Sequence, residues 1–324
     1  MTLRRDIKKI RHGNFLRLRH SAAVPIAITA LTLVLNFSFS DEIAHSVKSA
    51  LTLCYEVLIP SIFPFMILAD FIFCYASFPT LAFTSAVFEK IFRIDRRGLS
   101  AFMMGILCGF PLGVRCAKDL YSAGEISKED CERLIGFSNN TGPAFLISGV
   151  GLGLRKSYAD GIILYLSMVL GAIAVGLIFG LVSKSVRPDE KKGDFKKNTD
   201  FSLLTSVKNA GAATVNICAY LTLFSIFAGL LRKLLGIGYP YALILPFLEV
   251  GSAVSILSKI SLLPSGVSLA LSAFAVGFSG LCVHLQAAYF LQGTDISMKK
   301  YIVMKLLQGV FAFCICTLLA FIIK

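Results

Sequence analysis

What most constrains this chain is the recurrence, along its whole length, of apolar runs about as long as a bilayer is thick. A hydrocarbon core needs roughly 20 apolar residues per helix, and such runs occupy 22–40, 50–76, 133–153, 158–183, 210–235 and 301–323. Two more, 99–122 and 266–292, are apolar but broken by glycine or proline. Two others, 81–95 and 239–258, are shorter or mixed and fit interfacial helices or parts of hairpins. Of 324 residues, 56% are hydrophobic and 16% charged. So few charges cannot cover so much apolar surface in water. These proportions exclude a soluble enzyme and a disordered chain, and imply an all-α polytopic membrane protein.

The net charge is +13, and its placement matters more than its size. Arg4, Arg5, Lys8, Lys9, Arg11, Arg17 and Arg19 precede the first apolar run and face a single acid, Asp6. A basic segment beside a span is a topology signal, which places the N-terminus in the cytoplasm. Its expected partner is the anionic lipid of the bilayer surface, not nucleic acid. The stretch from Ala22 to Phe37 reads as a retained span, without the small-residue exit of a cleaved leader. The nine cysteines are odd in number and mostly sit in apolar runs, without a paired CxxC or a His cluster. They read as small fillers of helix contacts, and neither a disulfide framework nor a metal site is expected.

The chain divides into a basic tail 1–21, a first span and outer loop 22–49, a first repeat 50–183, a charged linker 184–208 and a second repeat 209–324. Gly109-Phe110-Pro111-Leu112-Gly113 is followed by Glu125-Ile126-Ser127, and Gly277-Phe278-Ser279-Gly280-Leu281 by Asp295-Ile296-Ser297. Paired, glycine-broken apolar segments in two halves are the sequence pointer to a transporter site. With the N-terminus and the lysine-rich linker inside, 99–122 becomes a re-entrant hairpin from the inner face and 266–292 one from the outer face. The halves are then two inverted repeats built from re-entrant hairpins and broken helices.

Four clusters carry the candidate site. The first is Gly109, Phe110, Pro111 and Gly113, a helix break, with Arg115 following as a fork-shaped carboxylate partner or an interfacial charge. The second is Ser138, Asn139, Asn140 and Thr141, four polar residues ahead of Gly142-Pro143. They face a substrate or glue helices together, and a new half-helix is expected to begin near Pro143. The third is Gly277, Ser279 and Gly280 with His284, and Gln286 close by. The fourth is Glu249, an isolated acid in an apolar segment, which could take up a coupling proton or cation or pair with Lys259 or Arg232. No catalytic triad, metal-ligand set or phosphate-binding loop stands out, so neither an enzyme nor a cofactor is expected.

The Gly109–Gly113 turn, the stretch from Glu125-Ile126-Ser127 to Ser138-Asn139-Asn140, and Gly277–Gly280 with Asp295-Ile296-Ser297 resemble the YlbJ family of sporulation integral membrane proteins. That family has a nucleoside-recognition or gate domain similar to concentrative nucleoside transporters. The resemblance runs from about Leu58 to the C-terminus. It implies transport of a small anion, dipicolinate, from mother cell to forespore across the outer forespore membrane. A nucleoside or other small-solute carrier of the same fold, and a non-transporting scaffold for spore assembly, remain alternatives. A homo-oligomer is compatible with each.

Overall fold

The computed structural model describes residues 37–75, 82–183, 202–261 and 263–323, which are helical with no strand among them. The basic tail, most of the first span and the linker as far as 201 lie outside the described residues. A continuous helix opens the fold: α1 (Ser40–Leu53), a π-helical turn (Cys54–Leu58) and α2 (Ile59–Tyr75). Then come α3 (Ala82–Phe92), α4 (Gly98–Leu107), α5 (Leu112–Ser122) and α6 (Lys128–Ser138). A π-helical segment (Ala144–Leu154) leads to α7 (Tyr158–Val182). The second half holds α8 (Leu203–Leu235), α9 (Tyr239–Leu248), α10 (Val250–Lys259), α11 (Ser265–Phe278), α12 (Gly280–Phe290) and α13 (Met298–Ile323).

Local chemistry sets these boundaries. Ser127, Ser157 and Ser202 cap α6, α7 and α8, each hydroxyl accepting from the backbone N–H three residues on, which satisfies a donor the helix leaves open. The run expected at 133–153 is split. α6 stops at Ser138, and a new helical segment starts at Ala144 behind Pro143, as the polar insert and the proline suggest.

α4 and α5 are each about 15 Å long, half of what a bilayer core requires, and they pack against each other. Asp95 and Arg97, before α4, and Glu125, after α5, lie close enough to act electrostatically on one another. The segment therefore enters and leaves at one end of the molecule, as a hairpin does.

The second broken segment behaves differently, and the expectation for 266–292 is corrected. α11 and α12 run on through a break at Ser279, and Ser265–Phe290 is together long and apolar enough to cross a membrane. Its two ends touch different parts of the molecule. At one end, Arg155 of the π–α7 loop donates to the Ser268 hydroxyl (3.1 Å) and the Ser265 carbonyl (3.3 Å). At the other, Asp295 accepts from Tyr121 (2.7 Å) and Lys128 (2.9 Å), and Lys300 pairs with Glu132 at 3.3 Å. Lys299 and Lys300 thus share an end with the 115–133 region, where the hairpin scheme had placed them opposite. The two glycine-rich motifs are therefore not a matched pair of hairpins.

Two apolar clusters hold the fold. In the first, Phe88, Phe92, Phe102 and Phe137 bind α3, α4 and α6 together, Phe92 and Phe137 stacking at 5.1 Å between ring centres. In the second, α7, α11 and α13 pack along one another through Leu164, Met168, Ala273 and Ala312.

Candidate functional site

Four interruptions in helices meet in pairs. Gly109, with φ +88°, ends the α4 side of the hairpin, and a Cβ there would lie 2.8 Å from the backbone N of Gly142. The hairpin turn is thus pressed against the 139–143 break. Gly280, with φ +68°, follows left-handed Ser279, and a Cβ there would lie 3.0 Å from the Leu248 carbonyl oxygen. This second turn is pressed against the α9–α10 joint at Glu249. Between the pairs lies a cavity of ≈ 150 Å³, a volume that accepts a single aromatic ring. Its walls include Gly109, Phe110, Thr141, Phe145, Glu249 and Gln286. Most of the lining is apolar, and among the described residues Glu249 is the one charged side chain in it.

Glu249 is 2% exposed. Its carboxylate accepts the backbone N–H groups of Gly251 and Ser252, so it caps α10 and faces the positive end of that half-helix. The pairing with Lys259 or Arg232 is not what holds it. Arg232 instead donates to Glu42 at 2.6 Å.

Behind the other wall lies a buried polar network. Ser138, Asn139 and Asn140 are 0% exposed and Thr141 2%. Asn139 Nδ2 donates to the Tyr301 hydroxyl (2.8 Å), which contacts His284 Nδ1 at 3.2 Å. Asn140 Nδ2 donates to the Phe137 carbonyl (2.7 Å), and Asn140 Oδ1 accepts from Gln308 Nε2 (2.7 Å). Gln308 Nε2 also donates to the Met168 carbonyl (3.2 Å). Lys305 is 0% exposed, and its Nζ donates to the Asn139 carbonyl and to Gln308 Oε1, both at 2.8 Å. An ammonium on the last carbonyls of α6 suits the negative end of that helix. Ser138 Oγ, Asn139 Oδ1, Thr141 Oγ1, His284 Nε2 and Gln286 Oε1 are buried with no hydrogen-bond partner among the described residues.

The sequence-derived residues thus separate. Gly109, Phe110, Thr141 and Glu249 line the cavity, while Ser138, Asn139, Asn140 and His284 form the network behind it. Pro111 is buried at the start of α5 and Gly113 sits against the Ser138 carbonyl. Gly277 gives close approach to α13, where a Cβ would lie 2.9 Å from the Gln308 carbonyl oxygen. Ser279 and Gly280 make the second break. Arg115 is not among the cavity's lining residues; its guanidinium faces Asp119 one turn on, at 3.9 Å. Tyr301, Lys305 and Gln308 were missed as site residues, although a lone Lys and Gln inside the apolar run 301–323 is the signal that marks such residues. Among the described residues no cluster of His, Cys, Asp or Glu could hold a metal ion.

Across 312 residues the chain is 28% identical to the sporulation integral membrane protein YlbJ of Bacillus subtilis strain 168, covering 82% of this chain and 74% of that protein. No family model matches the chain. No solved structure matches it. With four helices among the described residues long and apolar enough to cross a membrane, the chain is a multi-pass integral membrane protein.

Proposed function

We propose, for a chain that belongs to the YlbJ family of sporulation integral membrane proteins, that it is a secondary carrier or facilitator for a small organic solute. The observation that supports this reading is the meeting of four helix breaks at one cavity. Unwound backbone inside a membrane protein is tolerated where it lines a site or a path, and transporter sites are built at such breaks. A mostly apolar pocket with a few convergent polar groups is the usual form of a small-molecule site. A scaffold needs surface contacts and has no use for unpartnered polar atoms at its centre.

The cargo this reading favours is a flat organic anion, with dipicolinate as the compound the family resemblance implies, moved towards the forespore. Movement follows from alternating exposure of the cavity, not from chemistry, so no enzymatic step is assigned. Deleting the gene in its sporulating host should give spores depleted of dipicolinate while the mother cell retains it. Spores of ordinary content would overturn the assignment. A second reading, a neutral solute such as a nucleoside, is favoured by one feature: the charge lining the cavity is a carboxylate. Uptake of labelled nucleoside in place of dipicolinate would decide for it.

A further inference from the structure

Lys305 is a charged group in the wrong surroundings for a purely structural one. Among the described residues no carboxylate lies within ion-pair distance of it, although it is fully buried in the middle of an apolar helix. A buried ammonium without a counter-ion is strongly destabilising. Its two acceptors are neutral oxygens, so an ammonium there is answered only by the carbonyl end of α6 and the Gln308 amide, with no carboxylate beside it. The elements packed around it place no carboxylate against it. On α6, Glu129, Asp130 and Glu132 are held by Ser183, Arg133 and Lys300, while Ser138 and Asn139 end the helix; α7 presents Met168, α11 presents Gly277, and α13 itself presents Tyr301 and Gln308.

One residue before Asn139 and two residues after it stand hydroxyls, Ser138 Oγ and Thr141 Oγ1, that are buried without a partner among the described residues, and Thr141 lines the cavity. The Tyr301 hydroxyl accepts from Asn139 Nδ2 and lies 3.2 Å from His284 Nδ1. His284 Nε2 is buried without a partner among the described residues. A buried lysine with no carboxylate against it, together with two hydroxyls and a ring nitrogen that find no partner among the described residues, makes this break a place where a carboxylate could be held.

We propose that Lys305 is the counter-charge for an anionic cargo, holding a carboxylate at the 139–143 break together with the Ser138 and Thr141 hydroxyls. The apolar body of the cargo then lies in the cavity beside Phe110 and Phe145. This rests on the carrier reading above and assigns recognition of the cargo's acid group to one residue. It also moves the anion-binding role from Arg115, which faces Asp119, to a residue on another helix.

The test is calorimetric binding to the full chain in lipid nanodiscs, using pyridine-2,6-dicarboxylate and its uncharged dicarboxamide as probes. Lys305→Met should weaken dicarboxylate binding at least tenfold, as loss of a charged hydrogen bond does, and leave dicarboxamide binding in place. Lys305→Arg should restore part of the preference. Lys305→Gln, which keeps a donor for the Asn139 carbonyl, serves if the Met variant does not fold, with the same expected selectivity. Equal loss of both probes would make Lys305 a brace for the break and overturn the inference. So would dicarboxylate binding at wild-type strength in either neutral variant. Wild-type protein that takes only the dicarboxamide would overturn the inference and keep the carrier, and wild-type protein that binds neither probe would overturn the carrier reading itself.

Discussion

Glu249 and Lys305 are both buried charges at the ends of half-helices, and they are held in opposite ways. Glu249 is answered within three residues by the backbone N–H groups of the helix it caps. Lys305 reaches across 166 residues of sequence to a carbonyl at the end of α6, and takes its other partner from a glutamine one turn along its own helix. The first arrangement is complete in itself, and the second depends on four helices keeping their places. A charge closed by its own backbone serves the fold. A charge with donors left over is available to a ligand.

The largest effect that sharpens this contrast is expected at Gln308. Gln308→Leu strips partners from Lys305, Asn140 and the Met168 carbonyl at once. Each buried group left open costs about 1–3 kcal/mol, so the variant should lose most of its folded protein, read as membrane abundance and thermal midpoint. Survival of a stable Gln308→Leu protein would break the idea that the Lys305 side depends on long-range contacts. Next comes Glu249→Ala, which removes a local cap worth roughly 1–2 kcal/mol and should lower the midpoint while the protein still folds. Glu249→Gln keeps an accepting oxygen and should fall between Ala and wild type. If Glu249→Ala instead abolished folding, the carboxylate would be no mere cap.

The smallest effect is expected at Asp295, an exposed carboxylate of a third kind. Hydrogen bonds from Lys128 and Tyr121 hold its carboxyl below the usual carboxylate range. A group whose folded pKa is depressed adds stability above its unfolded pKa and loses it as pH falls through the folded one. Wild-type protein should therefore lose a little midpoint on acidification that Asp295→Asn does not lose. Identical pH profiles for the two proteins would remove any role for this contact.

These cases also explain what could be read from the sequence. The polar insert 138–141 and the proline behind it marked a real break, because capping and proline geometry act over a few residues. Glu249 stood out for the same reason: an acid alone in an apolar run. The hairpin at 99–122 followed from placing the basic N-terminus and the lysine-rich linker on the same side. The 266–292 segment was misjudged because Gly277-Phe278-Ser279-Gly280 looks like Gly109-Phe110-Pro111-Leu112-Gly113. A turn motif records that a helix breaks, and leaves the angle at which it continues to tertiary contacts. Here those are the Arg155–Ser268 and Lys128–Asp295 contacts at opposite ends. Arg115 was favoured over Lys305 because it adjoins a motif, whereas the partners of Lys305 come from elements far apart in the chain.

One close contact has a mechanical consequence. Gly105 and Gly113, on the two arms of the hairpin, both lie against the Ser138 carbonyl with no space for a side chain between. Backbone touching backbone leaves no side chains to slide or re-rotamer, so α4, α5 and the end of α6 move as one block. The chain leaves that block at 93–97 and at 139–143. The second of these exits is a wall of the cavity, so any tilt of the block must bend the very backbone that a solute would touch. On the carrier reading proposed above, loading the cavity and rocking the block are a single deformation, and stiffening 139–143 should slow exchange of a bound solute as much as it slows the conformational cycle.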